Sequence, residues 1–168
     1  LDDTVKRYLL ADEVGLGKTI EAGLLISEHI NRRKRSSNVF ISVPDSLIRQ
    51  WVRELAFRFF LADVISVYPD RTVNTLITIV SHDELCQIEF VNEPTLLVVD
   101  ESHQIVPKDL KEKYEVFEAH MRVSASTPEA YLLSGTPIGG NEIAYLGMLA
   151  LLDCRLFSFD VNGLEKFQ

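Results

Sequence analysis

A chain of 168 residues, 46% hydrophobic and 25% charged, can bury one core and has the balance of an ordinary globular domain. Its formal net charge of −8 excludes a surface built wholly to hold nucleic acid, though not a local basic face. No apolar stretch reaches the roughly 18 residues of a membrane-spanning helix and no signal-peptide pattern opens the chain, which argues against a membrane partner.

The first element is the apolar run Tyr8-Leu9-Leu10-Ala11, read as a short buried strand. It feeds Asp12-Glu13-Val14-Gly15-Leu16-Gly17-Lys18-Thr19, and Ile20-Glu21-Ala22-Gly23-Leu24-Leu25-Ile26 then reads as a helix. Strand, glycine-rich turn and helix is the layout of a phosphate-binding loop, where backbone N–H groups and the positive end of the helix dipole suit an anion. Lys18 then reaches the outer phosphates, and the Thr19 hydroxyl ligates a Mg²⁺ that bridges them. Asp12 stands where the general pattern has its first glycine, so only Gly15 to Thr19 is intact. The basic run Arg32-Arg33-Lys34-Arg35 reads as a solvated helix end, with a nucleic-acid contact as the alternative.

Further along, Val39–Val43, Val64–Tyr68, Leu76–Val80, Leu96–Val99 and Tyr131–Leu133 are short, continuously apolar runs, as in strands covered on both faces. Between them, residues 45–60 carry Leu47, Ile48, Trp51, Val52, Leu55, Phe59 and Phe60 at helical spacing, with Asp45 or Ser46 as the cap after Pro44. Residues 108–122 predict an outer helix and 141–153 a final apolar one. Alternation of this kind predicts an α/β fold with a mainly parallel sheet in three layers, its ligand at the carboxyl ends of the strands.

Two further segments follow strand ends. Asp100-Glu101-Ser102-His103 puts two acids after a buried strand, where an unpaired carboxylate is costly. A Mg²⁺ at the phosphate loop accounts for them: Asp100 holds the metal, and Glu101 positions and deprotonates the water that attacks the γ-phosphate. Ser134-Gly135-Thr136-Pro137 supplies small hydroxyl residues at another strand end, with Ser134 and Thr136 placed to bond the acidic segment. No G-x-S-x-G elbow supports a serine-hydrolase reading. Cys86 and Cys154 are expected as thiols, and His29, His82, His103 and His120 have no zinc-ligand spacing.

Together these residues resemble the motifs of the Swi/Snf-type ATPases, DNA-translocating members of helicase superfamily 2, in wording nearest the bacterial RapA-like branch. Leu10 to Gly23 is similar to motif I, Val43 to Trp51 to motif Ia, Ile79 to Leu85 to the following DNA-facing motif, Asp100 to His103 to the DExH box, and Ser134 to Ile138 to motif III. The resemblance implies an N-terminal RecA-like lobe over residues 1–168, a fragment that begins at Leu1 and ends before a second lobe. It implies ATP and Mg²⁺ as cofactors, bound by Gly15, Leu16, Gly17, Lys18 and Thr19 with Asp100 and Glu101. It further implies duplex DNA as partner near Ser46, Arg49, Gln50, Ser81 and His82, with Ser134 and Thr136 coupling nucleotide to DNA. RNA polymerase or another DNA-bound protein is a further implied partner, and the bacterial cytoplasm the implied location. With no arginine-finger segment, the lobe alone is expected to hydrolyse ATP poorly. Ser102 in place of a smaller residue and Gly139-Gly140-Asn141 after Ile138 depart from the family wording. The rival readings are a nucleotide-gated protein-interaction module, a superfamily 2 helicase acting on RNA or DNA, and, disfavoured by the third motif, a small-molecule kinase.

Overall fold

The computed structural model describes residues 6–11, 17–135 and 142–167. Six strands form one sheet: β1 (Arg7–Leu10), β2 (Val39–Val43), β3 (Ile65–Val67), β4 (Ile77–Ser81), β5 (Leu96–Val99) and β6 (Glu129–Leu133), in the order β1-β6-β5-β2-β4-β3. Every pairing is parallel. A parallel pair needs a crossover, and α1 (Lys18–Arg33), α2 (Ile48–Arg58), α3 (His82–Leu85) and α4 (Glu115–Ser126) lie in the connections. α5 (Glu142–Leu152) and α6 (Val161–Phe167) follow the last strand.

Strand residues alternate between two cores, which is why the central runs are apolar throughout. Val39, Ile41, Val43, Ile77, Ile79, Leu96 and Val98 face one core with Ala22 and Ile26 of α1 and Trp51 and Leu55 of α2. Phe40, Val80, Leu97, Val99 and Leu132 face the other, with Val116, Phe117 and Val123 of α4 and Met148 and Leu151 of α5. This is the predicted three-layer α/β arrangement.

Some boundaries differ from the sequence reading. α4 begins at Glu115 and not near 108, because Asp109 forms a turn: its Oδ1 accepts from Lys111 N at 2.8 Å and its carbonyl from Glu112 N at 3.1 Å. β6 begins two residues early, at Glu129, an acid that is 2% exposed. Arg32 donates to both oxygens of Glu129 at 2.7 and 2.9 Å, Arg33 lies 3.7 Å away, and the Tyr131 hydroxyl donates at 3.1 Å. The Nδ1 of buried His29 completes the cluster at 3.1 Å. So Arg32 and Arg33 are not merely a solvated helix end; they balance a buried carboxylate. Burial alone would raise the Glu129 carboxyl, but the bonds from His29 and Arg32 outweigh it and hold it below its usual range. Arg7 joins β1 to the ends of two helices, donating to the carbonyls of Ser124 at 2.8 Å, Thr127 at 2.5 Å and Leu152 at 2.6 Å. Cys86 and Cys154 are free thiols, and no helix is long and apolar enough to cross a membrane among the described residues.

Candidate nucleotide site

α1 starts from Gly17, whose φ of 97° and ψ of 19° lie in the left-handed region that glycine adopts without strain. Among the described residues no side chain caps this end, while the Gly17 carbonyl accepts from Ile20 N at 2.8 Å and Glu21 N at 3.0 Å. Lys18 and Thr19 are therefore the first two residues of a 16-residue helix, half-buried at the mouth of a cavity of about 400 Å³. Asp100 and Glu101, after β5, line the same cavity. Gly15 and Leu16 of the predicted phosphate loop, and Thr136 of the third motif, lie outside the described residues.

Asp100 is 6% exposed, and burial raises its carboxyl above the usual range; hydrogen bonds from Trp51 and Glu101 and the nearby Lys18 charge pull the other way. Its Oδ2 accepts from the indole N–H of Trp51 at 2.8 Å and its Oδ1 from the backbone N–H of Glu101 at 2.9 Å. Glu101 itself has φ 47° and ψ 43°, an unusual conformation for a residue with a Cβ. Such outliers cost on the order of 1–3 kcal/mol and concentrate at functional sites.

The third motif meets the acidic one as the sequence suggests. Ser134 is fully buried, its hydroxyl 3.1 Å from His103 Nδ1, which is 3.4 Å from Glu101 Oε2. Ser102 spends its hydroxyl proton on the Leu133 carbonyl at 3.1 Å, tying the segment after β5 to the end of β6.

Of the five residues expected near DNA, Ser46 is exposed in the short 3-10 turn Asp45–Leu47 that leads into α2, and Arg49 is exposed in the first turn of α2. Gln50, also exposed, lines the nucleotide cavity together with Glu54 and Arg58 of the same helix, which pair with each other. Ser81 and His82 turn inward. The Ser81 hydroxyl accepts from Glu84 N at 3.2 Å in a capping box at the start of α3. The His82 ring, 8% exposed, meets Ser42 Oγ at 2.8 Å through Nδ1. Ser42 Oγ also lies 2.7 Å from His120 Nε2, and His120 donates from Nδ1 to the Val116 carbonyl at 2.7 Å. That last bond sets the tautomer along the row. Neutral His120 accepts the Ser42 proton at Nε2, and Ser42 Oγ accepts in turn from His82 Nδ1. Burial holds both rings neutral, pushing His82 down to about 4 and His120 down to about 3.

Glu54 and Arg58 of the cavity lining, and Trp51 behind Asp100, are site residues that sequence reasoning did not find. Trp51 is the most informative of them. Its spacing on α2 identifies a core anchor, and at 0% exposure it is one; the partner of its N–H is set by packing across two connections. A buried tryptophan needs an acceptor, which is the only signal the sequence carried.

A Mg²⁺ fits this donor set. The Thr19 hydroxyl and Asp100, which line one cavity, would supply oxygen ligands, and each Asp100 oxygen keeps a lone pair beyond its one hydrogen bond. Among the described residues no three His, Cys, Asp or Glu side chains gather as a metal cage, and Mg²⁺ at phosphate sites needs none, since substrate phosphates and waters complete its shell.

Comparison with known proteins agrees with the geometry. Residues 3–69 match the model of the SNF2-related domain. The RNA polymerase-associated protein RapA of Photobacterium profundum is 34% identical over 183 residues, covering 96% of this chain and 18% of that protein. RapA of Vibrio cholerae is 34% identical over 180 residues, covering 95% of this chain and 18% of that protein. This chain thus spans less than a fifth of the length of these curated relatives. The Sulfolobus solfataricus SWI2/SNF2 ATPase core in complex with dsDNA superposes with a TM-score of 0.76 at 19% identity, over 96% of this chain and 38% of that one. The UvsW helicase of bacteriophage T4 superposes with a TM-score of 0.67 at 13% identity, over 88% of this chain and 52% of that one. The fold is RecA-like, that of the first of these two structures.

Proposed function

We propose, for a chain that belongs to the Swi/Snf-type ATPases of helicase superfamily 2, that it is the first motor lobe of a DNA-dependent ATPase that moves along duplex DNA. The observation that carries this is the meeting of Lys18, Thr19, Asp100 and Glu101 around one cavity at the carboxyl edge of a parallel sheet. Lys18 binds the outer phosphates and offsets their charge, Thr19 and Asp100 hold Mg²⁺, and Glu101 orients the attacking water and takes its proton. Bound Mg²⁺ supplies charge neutralisation on the transferred phosphoryl group.

Glu101 communicates with motif III through His103 and Ser134, a contiguous route by which nucleotide state is read at the end of β6. Duplex DNA lies across the face that presents Ser46 and Arg49, with Ser81 and His82 shaping that face from within. Gln50 stands between the DNA track and the nucleotide. A second RecA-like lobe closes over the cavity and adds an arginine to the transferred phosphate, so the lobe alone turns over slowly. The reading of RNA polymerase as a partner rests on its RapA relatives, and the bacterial cytoplasm is the matching location.

Phosphate release from ATP by the full-length protein, with and without duplex DNA at low salt, is the test. Strong stimulation by duplex is expected. Lys18→Ala should lose ATP binding, and Glu101→Gln should retain ATP while losing at least about 10²-fold in turnover, the usual worth of a positioned base. Preference for RNA or single strands would move the protein to the helicase reading. ATP binding without any turnover would establish the interaction module instead.

A further inference from the structure

We infer that Trp51 is a positioning residue for the metal-binding carboxylate, and that through it the aim of Asp100 depends on the seating of α2. The inference rests on the reading of Asp100 as a Mg²⁺ ligand.

Trp51 is the one tryptophan of the chain and is wholly buried, so its N–H must find an acceptor inside the protein. It finds Asp100 Oδ2 at 2.8 Å. The side-chain torsion that turns a carboxylate plane is broad and only roughly two-fold, so the aim of Asp100 has to be imposed by neighbours. Two donors impose it: the indole on one oxygen, the Glu101 backbone N–H on the other. The backbone donor travels with Asp100 itself, being the next residue. The indole is the donor fixed from outside the strand.

The choice of donor also matters. An arginine or lysine at this place would fix the carboxylate but cancel the charge that attracts a cation. An indole N–H is neutral, satisfies one lone pair and leaves the negative charge for the metal. Partners of this kind behind a metal ligand are typically worth about 10–100-fold in metal affinity or activity.

α2 links this to the rest of the site. Gln50, Glu54 and Arg58, four residues apart in succession, bring one face of the helix to the nucleotide cavity. Arg49 and Arg53 are exposed elsewhere on the helix, while Trp51 and Leu55 anchor it in the core with Ala22 and Ile26 of α1. A displacement of α2 by anything bound to its exposed face therefore moves the indole N–H against Asp100.

The single tryptophan makes the test direct. Trp51 emission is recorded while Mg²⁺ is titrated into the chain with a non-hydrolysable ATP analogue, and analogue binding is followed separately by equilibrium dialysis. The emission is expected to change with Mg²⁺ at the concentration where the Mg²⁺-dependent part of binding saturates. In Trp51→Phe, which keeps a ring in the core, the Mg²⁺ concentration for half-maximal binding should rise about 10–100-fold. Leu55 is equally buried on the same helix but has no donor to offer Asp100, so Leu55→Ala should lower thermal stability and leave the Mg²⁺ requirement within about twofold. A Trp51→Phe shift no larger than that of Leu55→Ala, or silent emission while the analogue binds, overturns the positioning role alone. Absence of analogue binding overturns the nucleotide-site reading and this inference with it.

Discussion

Acidification should unfold this domain earlier than its carboxylates alone would dictate. The perturbation is a fall from about pH 7 to about pH 5, above the range where ordinary carboxylates titrate. His82 and His120 have ordinary values of 6.5 in the unfolded chain and are pushed down to about 4 and about 3 in the fold. The geometry explains the depression: both rings are buried around Ser42, and His120 is already committed to the Val116 carbonyl at Nδ1. A group whose folded value is depressed lets the unfolded chain bind the extra proton, so stability falls as pH drops below 6.5 and keeps falling until the folded value is reached. Each histidine loses about 1.4 kcal/mol per pH unit in that window, so about 1.5 units below 6.5 costs about 2 kcal/mol per ring and about 4 kcal/mol for the pair. His29, lowered by its own burial, acts in the same direction. Urea unfolding followed at about pH 7, 6 and 5 reads the slope, and His120→Asn should reduce it by about one proton. An unfolding free energy constant to about 0.5 kcal/mol across that range would refute the reasoning, because it would mean that these rings take up protons as freely folded as unfolded.

Two further outcomes follow from packing. Glu129→Ala strips the partner from His29, Arg32 and Arg33, but the two arginines stay about a third exposed, at 32% and 28%. The loss should therefore be on the order of 2–3 kcal/mol, below the 3–5 of a fully buried pair, as measured by chemical denaturation. Among the described residues, the Cβ that Gly17→Ala adds meets nothing within 4 Å, so its cost of about 1–2 kcal/mol comes from holding φ at 97°. It should appear as lower thermal stability together with weaker nucleotide binding.

Much of the architecture was legible because buried parallel strands advertise themselves. Val39–Val43 and Leu96–Val99 stand in the structure with the bounds their apolar runs predict, since both faces of those strands are covered. The end of β6 was legible and its beginning was not. A glutamate is a poor strand former, and Glu129 sits in the sheet only because α1, about a hundred residues earlier, delivers His29 and Arg32 to it. The helical pattern over 108–122 misplaced α4 for a local reason, the turn that Asp109 builds with its own side chain. The acidic and hydroxyl segments were found because small polar residues after apolar strands are conspicuous, and the fold brings His103 and Ser134 within 3.1 Å.

By itself the sequence determined the alternation of strand and helix, the glycine at Gly17 and the succession of polar segments at strand ends. These are local properties, written in side-chain period and backbone preference. Tertiary structure alone decided which polar groups spend themselves on one another. It turned His82 inward to Ser42, committed Arg32 to Glu129, and gave the Trp51 N–H to Asp100. Burial makes such choices: once water is excluded every donor must take whatever acceptor the packing sets beside it, and separation along the chain carries no record of which that is.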